Sequence, residues 1–180
     1  MCDLVAKYNV PGPRYTSYPT VPYWDVPAFS GKAWKESVSR AFAESNEQKG
    51  ISLYIHLPFC ESMCTFCGCH KRITRRHSVE MPYISALLKE WELYRKLFGK
   101  RPVIRELHLG GGTPTFFSPE NLKVLLDGIF RYADRADVWE YSFEGHPANT
   151  TREHLRVLYQ AGFRRVSYGV QDYNETVQKA

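Results

Sequence analysis

From Ile51 onward the sequence alternates between two hydrophobic periods, and this alternation leaves the chain few folds to choose from. Segments with a two-residue period cover Ile51–Leu57, Ile104–Leu109, Trp139–Glu144 and Arg165–Val170, the pattern of β-strands. Helical spacing lies between them. The first helix, about Met81–Phe98, aligns Ile84, Leu87, Leu88, Trp91 and Phe98, with Pro82 early and Gly99 just after it. The second, about Pro119–Ala133, has Ser118 as its cap and a stripe of Leu122, Leu125, Leu126 and Ile129. The third opens on Thr150 with Glu153 in capping-box spacing and ends at Gly162. Another helix begins after Asn174. Strands alternating with helices form βα units around a parallel sheet.

The strand faces narrow the choice. Ile51, Leu53, Ile55 and Leu57 oppose Tyr54 and His56, and Leu107 and Leu109 oppose Glu106 and His108. Trp139, Tyr141 and Phe143 oppose Glu140, Ser142 and Glu144, and Val166, Tyr168 and Val170 oppose Ser167, Gly169 and Gln171. A sheet covered by helices on both faces would be apolar throughout. One apolar and one polar face instead predict an α/β fold of about four βα units, a partial (β/α) barrel whose chemistry lies at the C-terminal strand ends. An open sheet with one solvated face is the competing architecture.

Residues 1–50 form a separate expectation. Five prolines between 11 and 27 exclude a long helix or a central strand there, so an extended Pro/Tyr-rich arm is expected over 1–29, then a helix at about 31–48. The division is thus 1–50 for arm and helix and 51–180 for the barrel part. With 43% hydrophobic and 24% charged residues the chain can bury a core. No apolar run approaches the roughly 20 residues of a membrane span. The N-terminus carries no signal-peptide pattern, and the cytoplasm is the expected compartment.

Four of the five cysteines fall between Cys60 and Cys69. So tight a cluster does not suit a disulfide framework and reads as a metal site, while Cys2 stands alone as an ordinary thiol. Cys60-x3-Cys64-x2-Cys67 follows the first strand directly. Three thiolates can hold three irons of a 4Fe–4S cube and leave the fourth open, whereas electron carriers close all four corners with cysteine. Cys69 is either a fourth ligand or an extra thiol. Zinc is the competing metal, although its structural sites use separated ligand pairs. The net charge of +5 is partly local, in His70, Lys71, Arg72, Arg75, Arg76 and His77. Such a patch suits an anionic small molecule and could also serve nucleic acid.

Cys-x3-Cys-x2-Cys after a first barrel strand resembles the signature of the radical S-adenosylmethionine (SAM) superfamily. Within it, four segments are similar to the oxygen-independent coproporphyrinogen III oxidase (dehydrogenase) family: the arm 11–20, the stretch from Tyr54 through Cys69, and the segments 107–115 and 169–172. The resemblance implies a partial barrel of the radical SAM type, a 4Fe–4S cluster on Cys60, Cys64 and Cys67, and Cys69 as an additional non-ligand cysteine. It implies SAM contacts at Tyr54, Phe66, Gly111, Gly112, Thr113, Glu144 and Gln171, with two SAM molecules per site. The implied reaction turns two propionates of coproporphyrinogen III into vinyl groups through a 5′-deoxyadenosyl radical, giving protoporphyrinogen IX for haem synthesis.

Coproporphyrinogen III is a tetracarboxylate, so Arg14, Arg72, Arg75 and Arg76 are candidate carboxylate partners. An unidentified electron donor and acceptor complete the expected partners, with no nucleic acid, no membrane and a monomeric state. Family members are well over twice as long, and an eight-unit barrel takes roughly 250 residues. The chain is therefore expected to be an N-terminal portion, inactive alone. Competing functions are another radical SAM tetrapyrrole enzyme, a non-catalytic haem-binding relative, and a zinc-binding module.

Overall fold

The computed structural model describes residues 3–9 and 23–178. Packing divides the chain into two compact units, Met1–Ser37 and Val38–Ala180. The first contains α1 (Asp3–Tyr8), a 3-10 turn at Val26–Ala28 and the start of α2 (Gly31–Ser45). The expectation of an extended arm over 1–29 is corrected at Asp3–Tyr8, which precedes the first proline and meets no obstacle to a helical turn. Residues 10–22, and with them Arg14 and the arm segment 11–20, lie outside the described residues.

The second unit starts with β1 (Ile51–Leu57), followed by a small ribbon in which β2 (Phe59–Cys60) pairs with β3 (Arg72–Ile73). Then come α3 (Glu80–Phe98), β4 (Val103–Gly111), α4 (Pro119–Phe130), β5 (Asp134–Gly145), α5 (Arg152–Gln160), β6 (Arg165–Tyr168) and the short α6 (Glu175–Gln178). Gly99 ends α3 in the left-handed conformation, and Ser118 caps α4 by accepting the Asn121 N–H. The cap of α5 differs by one residue from expectation: Thr151 pairs with His154 in the capping box. The reason is competition. Thr150 Oγ1 already donates to the His146 carbonyl at 2.9 Å and bonds Thr115, while Glu153 pairs with Arg156.

The main sheet has the order β1-β4-β5-β6, all parallel. Crossovers between successive parallel neighbours follow the right-handed rule, which puts the crossover helices α3, α4 and α5 on the same side. One cluster accordingly joins Leu57, Leu107, Leu109, Tyr141 and Phe143 of the strands to Ile84, Trp91, Leu125 and Leu158 of α3, α4 and α5. Each fully buried leucine there contributes about 1.5–3 kcal/mol. A register shift between Ile104 and Glu106 lets Ile104 and Leu107 share the core despite opposite parity. This is the expected four-unit (β/α) arrangement, with the polar strand face turned away from the helices. No helix among the described residues is long and apolar enough to cross a membrane.

Candidate cofactor site

The C-terminal ends of β1 and β4 are joined by backbone. The Gly112 N–H donates to the Leu57 carbonyl and the Thr113 N–H to the Phe59 carbonyl, both at 2.9 Å. The glycine run therefore lies against the chain as it enters the cysteine loop. A Cβ on Gly112 would stand 2.5 Å from the Pro58 oxygen and 2.8 Å from the Phe59 oxygen. Gly111 has φ 117 and a Cβ there would stand 2.8 Å from the His56 ring. Only glycine satisfies both positions. Just beyond, Thr113 Oγ1 lies 3.3 Å from Cys60 Sγ.

The loop's base is closed by the return strand, where the Arg72 N–H donates to Pro58 O and the Thr74 N–H to Cys60 O, each at 2.8 Å. Within it the Cys67 N–H donates to Cys64 O at 3.1 Å, and Lys71 Nζ reaches the carbonyls of Cys67 and Cys69. Cys60 and Cys67 are half-buried, and Cys64 and Cys69 are exposed. Burial pushes the Cys60 thiol up, opposed by its bond to Thr113. A backbone hydrogen bond from Cys69, helped by Lys71, brings Cys67 down. Cys69 is raised, first by burial and then by Cys67. Among the described residues no three His, Cys, Asp or Glu side chains converge on a single ion. Cys60, Cys64 and Cys67 lie on one accessible loop.

Next to this loop the polar face of the sheet carries a connected set of side chains. His56 Nε2 meets the His70 carbonyl at 2.7 Å. That contact requires Nε2–H, so Nδ1 accepts the Tyr54 hydroxyl at 2.9 Å. The Tyr54 ring stacks against His108, with centroids 5.9 Å apart. His108 Nδ1 bonds Ser142 Oγ at 2.8 Å, and its Nε2 faces Glu144 Oε1 at 3.7 Å. The other Glu144 oxygen accepts the Gly111 N–H at 3.2 Å. A Cβ on Gly110 would meet Tyr54, His108 and Glu144 at 3.0–3.2 Å, so these three crowd over one backbone position. Burial raises the Tyr54 hydroxyl, and the charge of Glu144 raises it further.

The structure thus brings together Cys60, Thr113, Gly111, Gly112, Glu144 and Tyr54. Cys64, Cys67 and the exposed Phe66 sit on the cysteine loop, and Gln171 follows β6 at the same end of the sheet with φ 64. His56, His108 and Ser142 were absent from the candidate residues. Their signal was their place on the polar strand faces, which needs the register to become a site: Tyr54 pairs with His108, and His108 with Ser142.

Residues 54–180 match the radical SAM superfamily. The chain belongs to this superfamily. A 4Fe–4S cluster and SAM are the cofactors of radical SAM proteins, and the donor set above fits them. Two relatives are named oxygen-independent coproporphyrinogen III oxidase. The one from Helicobacter pylori (strain J99) is 40% identical over 99% of this chain and 39% of its own length. The one from Escherichia coli K12 is 38% identical over 98% of this chain and 37% of its own. The solved structure of coproporphyrinogen III oxidase (HemN) from Escherichia coli, described as a radical SAM enzyme, is similar with a TM-score of 0.81 and 34% identity, over 98% of this chain and 38% of that one. The chain therefore spans about two-fifths of the length of these relatives.

Proposed function

We propose that the chain is the cluster- and SAM-binding part of an oxygen-independent coproporphyrinogen III oxidase, with Cys60, Cys64 and Cys67 as the cluster ligands. The observation that carries this reading is the stitching of the cysteine loop to the glycine run, with Thr113 on Cys60 and Glu144 on Gly111. When bound, the reduced cluster and SAM supply the 5′-deoxyadenosyl radical that removes hydrogen from a propionate chain, which then loses carbon dioxide and an electron to become a vinyl group.

The protein's own residues bind and orient. The glycine run lets a ligand approach its backbone, and Glu144 can accept hydrogen bonds from a ribose hydroxyl or an ammonium group. Tyr54, Phe66, Thr113 and Gln171 complete the SAM contacts, in a site for two SAM molecules. Two propionates of coproporphyrinogen III react, giving protoporphyrinogen IX. The electron donor and acceptor are separate, unidentified partners, and the chain is monomeric and cytoplasmic.

His108 holds Glu144 and Tyr54 in place. Changing His108→Phe, which keeps the ring stack and loses both polar contacts, is expected to weaken SAM binding about tenfold with iron content unchanged. Calorimetry and iron analysis on the reconstituted chain check this.

Arg72, Arg75 and Arg76 are exposed beside the cysteine loop and suit the substrate's four carboxylates. Substituting Arg72 and Arg75 together by alanine is expected to weaken coproporphyrinogen binding by roughly tenfold or more while leaving iron content intact. Anaerobic titration of both proteins with coproporphyrinogen III tests the substrate assignment. Equal affinity, or no binding by the parent chain, would contradict it.

A further inference from the structure

Glu80 is the first residue of α3, and its carboxylate is completely buried, at 0% exposure. An ionised group at such a position requires full hydrogen bonding. Oε2 accepts the backbone N–H of Ser118 at 2.9 Å and the Asn121 side-chain amide at 2.7 Å. Oε1 meets His77 Nδ1 at 2.6 Å. The carboxylate therefore sits at the N-terminus of α4 and bridges it to the segment that leaves the cysteine loop.

The partners carry the link into the cofactor site. The His77 ring stacks on Phe116, centroids 4.7 Å apart and 16° from parallel. Its far nitrogen faces Glu61, the residue after Cys60, at 3.9 Å. Phe116 belongs to the turn following Thr113, the residue that touches Cys60. Phe116 also packs on Phe59, which leads directly into Cys60. Both ends of the cysteine loop are thus anchored on the turn 113–118, the leading end by Phe59 and the trailing end by His77 and Glu80.

We propose that Glu80, acting through His77, is a positioning residue for the cysteine loop, holding its trailing end at a fixed distance from the glycine run. The inference rests on Cys60, Cys64 and Cys67 being the cluster ligands only for its consequence in cluster assembly; the clamp itself is a property of the polypeptide.

The test separates the clamp from general packing. His77→Phe keeps the stack on Phe116 and removes the bond to Glu80, at a side chain that is 56% exposed, and leaves the bonds from Ser118 and Asn121 in place. Glu80→Gln keeps an acceptor for Ser118 and Asn121 and can donate to the other His77 tautomer. Glu80→Leu keeps the volume and loses every bond. Hydrogen exchange in the metal-free chain is expected to rise about tenfold in residues 61–78 of His77→Phe, with β4 and β5 unchanged. Glu80→Gln should remain close to the parent, and Glu80→Leu should loosen the loop at least as much as His77→Phe. After reconstitution, the iron bound per chain should fall in the same order. Unchanged loop exchange in His77→Phe would overturn the clamp. So would equal loosening of the loop and of β4 and β5. Loop exchange that behaves as expected in a chain that binds no iron would support the clamp and refute the cluster assignment alone.

Discussion

Replacing Gly112 by alanine is expected to abolish cluster retention and to destabilise the second unit by about 1–3 kcal/mol, the usual cost of forcing a methyl group into packed surroundings. The added Cβ would meet the backbone of Pro58 and Phe59, not the end of a flexible side chain. Relief therefore has to move either the glycine run or the entry to the cysteine loop. Either motion breaks the N–H bonds from Gly112 and Thr113 and draws Thr113 off Cys60. Gly31 provides the control, because a Cβ there meets nothing within 4 Å. Urea unfolding and iron content of the two alanine variants measure the contrast. Normal iron binding by Gly112→Ala would contradict the stitched site.

The second large effect concerns the thiols. Alanine at Cys60, Cys64 or Cys67 is expected to reduce cluster content after anaerobic reconstitution to near zero, since in the proposed site each of these thiolates would hold one iron. Alanine at Cys69 is expected to leave iron and sulfide close to the parent level. Loss of the cluster in Cys69→Ala together with its retention in Cys67→Ala would reassign the third ligand. Cys69 lies on the same loop, its carbonyl reached by the Lys71 ammonium that also reaches the Cys67 carbonyl.

Much of this architecture was legible because two periodicities report two kinds of surface. The alternation in Ile51–Leu57 located β1 residue for residue, and the helical stripes placed the buried faces of α3 and α4. What escaped depends on contacts between distant residues. The β2–β3 ribbon has two residues in each strand, too short for a period. The α5 cap turned on whether Thr150 was already engaged by His146, which the local sequence does not reveal.

The cofactor site divides in the same way. Cysteine spacing and the glycine run are local patterns and could be read directly. The grouping of Tyr54, His108, Ser142 and Glu144 comes from three strands in register. Glu80 sat in an ordinary helix start, and nothing in its neighbours announced that Ser118 and Asn121, about forty positions on, would enclose it.

The cysteine loop is expected to hold a cluster with one iron open to SAM. The direct measurement is electron paramagnetic resonance of the anaerobically reconstituted, reduced chain, recorded with and without SAM. The expected result is a reduced 4Fe–4S signal whose shape changes when SAM is added. A cluster signal indifferent to SAM, or stoichiometric zinc in place of iron in protein never exposed to oxygen, would contradict the account.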